Sequence, residues 1–420
     1  MRPIAEMLYH KGIVFKAHMS TQQKHIVSVN DGVRRFIYNR LVELDKSYWM
    51  EKASLYTTAY QEHLAYLKWS LMDVEHMRSA FPWLNEPEVD SIVISTTKRA
   101  FQTALKNMYE RHTGRPAFKK KQSAQSYQTS CSNANTANPS IQILDTHHIK
   151  LPKLGVVRVD GSPKMVRQLI KYLDRYEVRI GTATISRDAV GEYWISLSIG
   201  SDEPFADPFP ETGSIVGIDM NLSNFCAMSD GTIVDNPRYL KVVKPELITE
   251  QRKLSLKKAF ADRHKLPWRS KNYEEQRRRV AFLQRKVMRQ RQNFEHVISR
   301  DLVESQDWIF AEKLNVKAMM RDHHLAGAVA DISWSEFHRM LGYKSIMYGK
   351  SFEQVPAKDT TQTCSACGYI CKDNDHVDLG VEEWTCPKCG THHIRDLNAA
   401  CNILMKGVEQ NHLPCRIPVL

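Results

Sequence analysis

The chain has 420 residues, of which 42% are hydrophobic and 25% charged; this balance is typical of two or three globular domains and excludes a wholly disordered protein. Lys and Arg number 59 against 47 Asp and Glu, and the net charge of +12 favours a polyanionic partner, either nucleic acid or an acidic membrane surface. No apolar run approaches the roughly 18 residues that a membrane span requires, and no signal peptide is recognisable, so we expect a cytoplasmic protein without a membrane partner.

The N-terminal part of the chain predicts a helical block. Residues 12–17 predict a short strand, and Ser20 to Gln23 resembles a capping box at the start of a helix. Further helical patterns cover about 57–78 and 89–110. The helix after the capping box has one apolar face, made of Ile26, Val29, Val33, Ile37, Leu41 and Leu44.

A small antiparallel β unit is predicted after the helical block. Residues 112–140 are rich in Ser, Asn and Thr, as in loops and short strands. Residues 141–200 alternate with period two, and a hairpin is predicted to turn near Asp188 to Gly191. Residues 201–213 contain three prolines and predict a linker to the second half of the chain.

The positive charge is concentrated in one segment of that second half. Residues 241–300 contain 18 Lys and Arg against 6 Asp and Glu, a surplus equal to that of the whole chain. From about residue 274 the segment predicts a helix with a buried apolar stripe that runs from Val280 to Ile298 and includes Val297. A solvated helical face is the alternative, but solubility needs less charge, so we expect phosphate contacts. The cations expected to make them are Arg277, Arg278, Arg285, Lys286 and Arg289.

A second basic stretch lies between the helical block and the β unit. Arg115 to Lys121 mixes Pro and Phe with cations and predicts a loop that enters a strand. Its three lysines are further candidates for contacts with a nucleic-acid backbone: Lys119, Lys120 and Lys121.

Three acidic residues lie at the edges of apolar elements. Residues 214–235 predict three short strands, the first ending at Asp219; Glu312 ends another apolar strand, and Asp396 opens a predicted helix. Taken singly, Asp396 is a typical helix cap and Asp219 a typical turn residue. Together in a basic domain they fit a shared divalent-metal site better, because Mg²⁺ prefers hard oxygen ligands and two such ions assist phosphodiester displacement.

Four of the nine cysteines form two Cys-x-x-Cys pairs separated by 18 residues. A glycine follows each pair, where a knuckle turn commonly needs a positive φ. The spacing predicts one structural zinc ion, although a single pair could also be a redox dithiol. The predicted zinc ligands are Cys364, Cys367, Cys386 and Cys389. Neighbours that could substitute as ligands are Cys371, His376, His392 and His393.

These motifs together resemble the TnpB family, RuvC-type nucleases of bacterial insertion sequences that are related to the type V CRISPR effectors. The match consists of Gly-Ile-Asp ending at Asp219, the strand ending at Glu312, the cysteine pairs, and Arg-Asp-x-Asn-Ala-Ala-x-Asn-Ile from Arg395. Weaker matches at 33–39, 150–155, 332–337 and 341–349 extend the resemblance over nearly the whole chain. Two departures, at Met220-Asn221 and at Asp359 to Thr361, are expected to touch neither a carboxylate nor a thiolate.

The resemblance implies a multidomain α+β fold. An RNase H-like, RuvC-type α/β core would carry an inserted zinc ribbon, beside a helical recognition domain and a small antiparallel β domain of the wedge type. The implied boundaries are 1–17 and 112–203 for the β-rich wedge domain, 18–111 for the helical domain, 211–359 and 395–408 for the nuclease core, 360–394 for the zinc ribbon and 409–420 for a flexible tail. Asp219, Glu312 and Asp396 would take the catalytic, Mg²⁺-binding positions, and the four paired cysteines the zinc positions.

The activity implied by the resemblance is RNA-guided cleavage of double-stranded DNA beside a short flanking motif. It requires two Mg²⁺ ions per active site and one structural Zn²⁺. The implied partners are a guide RNA from the chain's own element and target DNA, bound by a monomer in the prokaryotic cytoplasm and at the nucleoid when on DNA. Ser132 and Asn133 would contact the flanking motif, and Arg395 would either neutralise the scissile phosphate or be a surface residue at a helix start.

Other functions remain open at this point. One is a guide-independent DNA nuclease or a transposition accessory protein. Another is a nuclease-silent DNA-binding regulator, which the presence of all three acids disfavours because such a protein has no need of a metal site.

Overall fold

The computed structural model describes residues 4–51, 60–67, 73–121, 124–132, 138–174, 178–266, 270–314, 333–371 and 382–414. They divide into two compact units, Met1–Phe205 and Ala206–Leu420, and the division falls within the predicted linker 201–213. Among the described helices, none is both long and apolar enough to cross a membrane.

The first unit contains a seven-stranded antiparallel sheet with the strand order β2-β6-β7-β1-β5-β4-β3. Its central strand β1 includes the predicted strand at 12–17, and the period-two residues after 141 supply most of the others. The strands are β1 (Tyr9–His18), β2 (Gln125–Ser130), β3 (Gln142–Ile143), β4 (His148–Leu151), β5 (Gly155–Asp160), β6 (Val178–Arg187) and β7 (Tyr193–Ser201).

The hairpin between β6 and β7 turns where the sequence predicts it. Asp188 Oδ1 accepts hydrogen bonds from the backbone N–H groups of Val190, Gly191 and Glu192 at 3.0, 2.9 and 2.9 Å. Gly191 has a φ of 100°, which a residue with a Cβ rarely adopts.

The helices of the first unit begin with the predicted capping box. The backbone N–H of Gln23 donates to Ser20 Oγ at 3.2 Å, and Ser20 N–H donates to Gln23 Oε1 at 3.0 Å, so the prediction is confirmed. The helices are α1 (Thr21–Glu51), α2 (Tyr60–Tyr66), α3 (Val74–Ala80), α4 (Ile92–Arg111) and α5 (Pro163–Asp174), with short 3-10 turns at Ile4–Glu6 and Pro82–Asn85.

Helix α5 interrupts a region for which only strands were predicted, so the prediction was wrong for residues 163–174. Val166 and Leu169 are buried three positions apart, which is a helical rather than a strand spacing. Ser162 and Pro163 at the start of the segment were the unused signal, since proline is favoured at the first helical position.

One continuous hydrophobic core serves the first unit. It contains Val33 and Ile37 of α1, Phe101 of α4 and Phe15 and Ile195 of the sheet, all of them fully buried. The predicted boundary between a helical and a β-rich domain at residues 111 and 112 lies inside this unit.

The second unit contains a five-stranded sheet with the order β10-β9-β8-β11-β12. Strands β8, β11 and β12 are parallel, and β9 and β10 are antiparallel to their neighbours. The strands are β8 (Ile215–Met220), β9 (Cys226–Met228), β10 (Ile233–Val234), β11 (Trp308–Glu312) and β12 (Ser351–Val355). The three strands predicted over 214–235 are confirmed.

Helices of the second unit pack on both faces of this sheet. Val303 and Phe337, from two helices, pack with Ile218 on one face, and Ile403 and Leu404 pack with Phe310 on the other. The helices are α6 (Tyr239–Arg263), α7 (Lys271–Ser305), α8 (Trp334–Tyr348) and α9 (Arg395–Gln410). Helix α9 extends past residue 408, where the nuclease core was predicted to end, and residues 415–420 of the predicted tail lie outside the described residues.

The basic segment is more helical than predicted. Helix formation starts at Tyr239 rather than near residue 274, and α6 and α7 pair through a small core that contains Val243, Leu247 and Leu283. Val297 was wrongly assigned to the buried stripe, since it is 49% exposed.

A small two-stranded antiparallel sheet, β13 (Glu383–Thr385) with β14 (His392–Ile394), precedes α9. Trp384 of β13 packs in a cluster of its own with Cys364, Cys371 and Cys386. This cluster is too small to fold on hydrophobic burial alone, which is typical of a metal-stabilised element.

Candidate functional site

Strand register brings two of the predicted acids to the same edge of the sheet. Strands β8 and β11 run parallel, and Ile218 pairs with Ala311. The next residues along the two strands are Asp219 and Glu312, so both acids lie at the carboxyl edge of the parallel strands.

Helix α9 brings the third acid to that edge. It packs so closely on β8 that a Cβ at Gly217 would lie 2.2 Å from the carbonyl oxygen of Ala400. Gly217 and Asp219 are two positions apart and therefore face the same side of the strand. Asp396 lies in the first turn of α9, close enough to Asp219 for its charge to raise the pKa of that carboxyl.

Burial and crowding make these acids costly to ionise together. Asp219 and Glu312 are 9% and 8% exposed. Burial and the charges of Glu312 and Asp396 raise the pKa of Asp219 to about 8, against an opposing effect of Arg395, and burial also raises the pKa of Glu312. Two buried carboxylates, Asp219 and Glu312, beside the partly exposed Asp396 fit a hard divalent cation, because the cation offsets the cost of burying charge and the repulsion that acts on Asp219.

Hydrogen bonds hold two of the three carboxylates. The side-chain amide of Asn221 donates to Asp396 Oδ2 at 3.0 Å, and the Thr360 hydroxyl donates to Glu312 Oε1. Both donors lie in the two departures from the family motif, so the expectation that the departures touch no carboxylate was wrong. The contacts join residues 175 and 48 positions apart, which motif spacing does not reveal.

Arg395 is engaged with its neighbour in the candidate site. Its Nε and Nη2 donate to Asp396 Oδ1 at 3.0 and 2.9 Å, and its side chain is 14% exposed. Arg395 begins α9, as one of its two predicted roles requires, but it is not simply a surface residue, because its side chain is largely covered and bonded to Asp396. The guanidinium instead orients the Asp396 carboxylate, while Asn221 holds the other oxygen.

The four paired cysteines come together in the folded chain. Their sulfur atoms all lie within 4.8 Å of one another, and the pairs Cys364–Cys389 and Cys367–Cys386 are each 3.7 Å apart. Tetrahedral zinc with bonds of about 2.3 Å requires sulfur separations of about 3.8 Å. The cluster could therefore hold a metal ion such as zinc, which fits better than two separate dithiols. Gly368 and Gly390 have the expected positive φ, 71° and 74°.

The alternative ligands differ in position. His393 Nε2 lies 3.0 Å from Cys364 Sγ and packs against Trp384, whereas His392 faces outward and bonds Glu383. Cys371 is buried in the same small cluster, and His376 lies outside the described residues.

The predicted phosphate-binding cations of α7 fall into two groups. Arg278, Lys286 and Arg289 are exposed. Arg277 and Arg285 are half-buried, Arg277 bonding Glu274 at 2.9 Å and Arg285 lying 5.8 Å from the centre of the Phe282 ring. The exposed group is the more accessible to a polyanion.

The loop with the second basic stretch is held against α1. The Lys119 backbone exchanges two hydrogen bonds with the side chain of Asn39, and its ammonium group lies 4.7 Å from the centre of the Tyr38 ring. Lys120 and Lys121 are exposed. Ser132 accepts a backbone hydrogen bond from Ser140 and donates one to its Oγ, and Asn133 lies outside the described residues.

Two known protein families match parts of this chain that contain the candidate site. Residues 334–403 match a family described as "Cas12f1-like, TNB domain", and residues 196–322 match one described as "Probable transposase" of the OrfB_IS605 type. The chain is thus similar to TnpB-like transposases. The two matches cover the described strands of the five-stranded sheet, the cysteine cluster and all three acids of the TnpB-like chain.

Relatives extend the TnpB-like similarity over most of the chain. A protein of Streptomyces pristinaespiralis that is named as an RNA-guided DNA endonuclease is 27% identical over 398 residues, which are 94% of this chain and 88% of that protein. InsQ of Escherichia coli K12, named in the same way, is 25% identical over 342 residues, or 77% and 76% of the two chains.

A solved structure has the same fold as this TnpB-like chain. The protein in a Cas12f1–sgRNA–target DNA complex superimposes with a TM-score of 0.58 at 14% identity, over 94% of this chain and 98% of that one. At this identity the likeness concerns the fold alone, an α+β arrangement of helices and sheets.

Sequence reasoning missed the polar residues that bond the acids, or the backbone beside them, in the TnpB-like chain. Asn221, Thr360, Asn398 and Asn402 were part of the quoted motifs but were given no role. The available signal was the four-residue spacing of Asn398 and Asn402, which places both on one face of a helix.

Proposed function

We propose that this chain is an RNA-guided DNA endonuclease that binds a guide RNA from its own element and cleaves double-stranded DNA beside a short flanking motif. The observation that carries the proposal is the meeting of Asp219, Glu312 and Asp396 at the carboxyl edge of the parallel strands. Relatives named as RNA-guided DNA endonucleases supply the guide and the substrate class.

The three acids would hold two Mg²⁺ ions. Such a pair stabilises the attacking and leaving oxygens of a phosphodiester displacement. Asp219 is the best candidate for the shared ligand, because both other carboxylates act on its pKa. Arg395 and Asn221 fix the Asp396 carboxylate, and Thr360 fixes that of Glu312, so the ligands are oriented before the nucleic acid arrives.

The parts of the fold receive matching roles in this proposal. The five-stranded sheet with α7, α8 and α9 would be the RNase H-like, RuvC-type core, and β13 and β14 with the four cysteines a zinc ribbon. Exposed cations of α7 would contact phosphates of the guide–target duplex, whose backbone is read by shape rather than by sequence. The first unit would contact the flanking motif.

The guide is the element that separates this proposal from a guide-independent nuclease. The test is to express the gene with its native flanking DNA, purify the protein through a high-salt wash and sequence the bound RNA. A single defined RNA that ends in sequence from outside the element supports the proposal. Absence of RNA, or a random cellular mixture, contradicts the guided mechanism.

The acids separate the proposal from a nuclease-silent regulator. Asp219→Asn should lower Mg²⁺-dependent cleavage at least about 100-fold, because the oxygen that neutralises the metal charge is lost. Binding of guide and target should remain within about twofold of the unchanged protein, since Asp219 is buried and is not one of the exposed cations expected to contact phosphates. A protein that binds target but never cleaves it would be a regulator.

A further inference from the structure

Helix α9 presents a row of polar side chains to the chain segment that precedes the first cysteine pair. Asn398, Asn402 and Lys406 are spaced by four residues and so lie on one face of the helix. The segment opposite, residues 356–365, connects β12 to the cysteine cluster and is called here the linking segment. It consists of turns, with a single isolated bridge at Thr363.

The row binds the linking segment along its length. Lys406 Nζ donates to the carbonyl oxygens of Pro356, at 3.3 Å, and Lys358. Asn402 Nδ2 donates to the carbonyls of Thr360 and Thr363 at 2.8 and 2.6 Å.

Asn398 completes the row with a two-sided contact. Its Nδ2 donates to the Thr363 carbonyl at 2.8 Å, and its Oδ1 accepts the backbone N–H of Ser365 at 2.9 Å. Ser365 lies between Cys364 and Cys367 of the candidate zinc cluster. The helix that carries Asp396 is therefore bonded directly to the first cysteine turn.

The two asparagine side chains of the row are buried, so their contacts are costly to lose. Asn398 and Asn402 are each 3% exposed, and Thr360 is 1% exposed. Backbone carbonyls in such surroundings need a donor, and in this turn-rich segment the helix supplies it. The side chains of α9 thus take the place that a strand partner would have in a sheet.

The linking segment contacts both candidate metal sites. The Thr360 hydroxyl contacts both Glu312 Oε1 and, at 2.9 Å, the carbonyl oxygen of Ala357. A hydroxyl has only one proton to donate, and the carboxylate is the stronger acceptor, so Thr360 donates to Glu312. Four residues later Cys364, fully buried, enters the cysteine cluster. A shift of the segment at either end moves a ligand, or a ligand's hydrogen-bond donor, at the other.

We propose that Asn398 and Asn402 are positioning residues that couple zinc binding at the cysteine cluster to divalent-cation binding at Asp219, Glu312 and Asp396. The inference rests on the proposed function, because it assigns the two clusters to Zn²⁺ and Mg²⁺. Occupancy of the cysteines holds the linking segment, the segment holds Thr360, and Thr360 orients Glu312. Because linkage is reciprocal, Mg²⁺ must raise zinc affinity by the same factor by which zinc raises Mg²⁺ affinity.

The coupling is testable on the unchanged full-length protein. Zinc affinity is measured by competition with a zinc-selective fluorescent chelator, with and without saturating Mg²⁺, in the absence of nucleic acid. We expect saturating Mg²⁺ to raise zinc affinity about tenfold, in the usual range for coupled sites. Equal zinc affinities under the two conditions would overturn the inference.

Variants identify the residues that carry the coupling. Asn402→Leu keeps the volume of the side chain and removes its donors; it should weaken Mn²⁺ binding, followed by EPR titration, about tenfold while zinc content stays at one ion per chain. It should also abolish the effect of Mg²⁺ on zinc affinity. The matched control is Asn411→Leu, because Asn411 lies at the end of the same helix and donates to Gly407 O and Glu353 instead.

A second pair of variants tests the Glu312 end and does not depend on the folding of Asn402→Leu. Thr360→Val keeps the shape and removes the hydroxyl, and should weaken Mn²⁺ binding about tenfold, whereas Thr360→Ser should restore it. Wild-type Mn²⁺ affinity in folded Thr360→Val would contradict the inference. Full linkage in a wild-type protein that cleaves no target would instead overturn the proposed function and leave the coupling standing.

Discussion

At the scale of single residues, the buried position of Asp219 carries a cost in stability. An acid whose pKa is raised in the folded state, here from 3.8 to about 8, binds its proton more tightly there, so the folded state loses stability as pH rises between these values. This loss of folding stability is largest above pH 8 when no cation is bound. Active sites commonly carry such a cost because the binding partner removes it.

Asp219→Asn should therefore stabilise the metal-free protein while it removes cleavage. At pH 8 without divalent cations we expect its unfolding free energy to exceed that of wild type by about 1–2 kcal/mol. Thermal denaturation with and without Mg²⁺ measures the effect, and Mg²⁺ should narrow the difference because it binds wild type better. A variant less stable than wild type in both conditions would contradict the conclusion that burial and the neighbouring acids make the charge of Asp219 costly.

Glu295 of α7 is a second buried acid with a raised pKa. It is 0% exposed, and neither carboxylate oxygen has a hydrogen-bond partner among the residues that the structure describes. Burial raises its pKa to about 7; the charge of Arg291 lowers the pKa and that of Glu336 raises it. The folded state consequently loses stability as pH rises from about 4.5 to 7.

Replacement of Glu295 should show this loss directly. Glu295→Gln should raise the unfolding free energy by about 1 kcal/mol at pH 8 and by much less at pH 4.5, where Glu295 is protonated in the folded state. Urea denaturation at the two pH values measures it, with the exposed Glu304→Gln on the same helix as control. Unlike the effect at Asp219, this one should be unchanged by Mg²⁺. An equal effect at both pH values would argue against the titration of Glu295.

At the scale of elements, the contact between α9 and β8 sets the geometry of the three acids. It depends on Gly217, where a Cβ would meet the carbonyl oxygen of Ala400 at 2.2 Å and the amide nitrogen of Leu404 at 2.6 Å. Both are backbone atoms, so the helix as a whole has to move to make room. That movement carries Asp396 away from Asp219.

Gly217→Ala should therefore destabilise the protein by about 3 kcal/mol and reduce cleavage. Gly342→Ala in α8 is the matched control, since its Cβ would meet only Phe352 at 3.8 Å and alanine favours a helix interior by about 1 kcal/mol. Urea denaturation of both variants should give changes of opposite sign. If Gly217→Ala were as stable as wild type, the claim that a Cβ at this position forces α9 away from β8 would be wrong.

Helix α7 is the element that should contribute most to the salt dependence of nucleic-acid binding. Arg278 and Lys286 are exposed and have no ion-pair partner among the described residues. Arg278→Gln and Lys286→Gln should each lower affinity for nucleic acid and reduce the slope of log affinity against log salt by about one. Fluorescence anisotropy over a salt series measures this. Arg339→Gln is the control, because Arg339 is paired with Glu336 at 2.8 Å; an equal change in its slope would refute a specific role for α7.

At the scale of the whole molecule, features that depend on neighbouring residues could be predicted from the sequence better than contacts between distant segments. The capping box at Ser20, the Asp188 turn and the strands that carry Asp219 and Glu312 depend on neighbouring residues, and each was found where its pattern indicated. Helix α5 was missed because the period-two strands around it dominated the interpretation.

The hydrogen bonds around the candidate site could not be predicted from the sequence, for a different reason. Asn221 meets Asp396, and Asn402 meets Thr360, only because α9 returns to β8 and to the linking segment late in the chain. Resemblance to a family identifies residues that are shared, whereas the hydrogen bonds of a carboxylate depend on which backbone and side-chain donors the fold brings to it. The motif therefore supplied the acids and not their partners.

The central claim is that a guide directs cleavage at the Asp219, Glu312 and Asp396 site, and one assay tests it directly. The protein purified with its bound RNA is incubated with Mg²⁺ and plasmids that carry either the sequence complementary to the RNA guide, beside a library of flanking motifs, or a scrambled target. The account predicts cleavage of the matched target alone, beside a limited set of flanking motifs, and no cleavage by Asp219→Asn. Equal cleavage of matched and scrambled targets, or undiminished cleavage by Asp219→Asn, would contradict it.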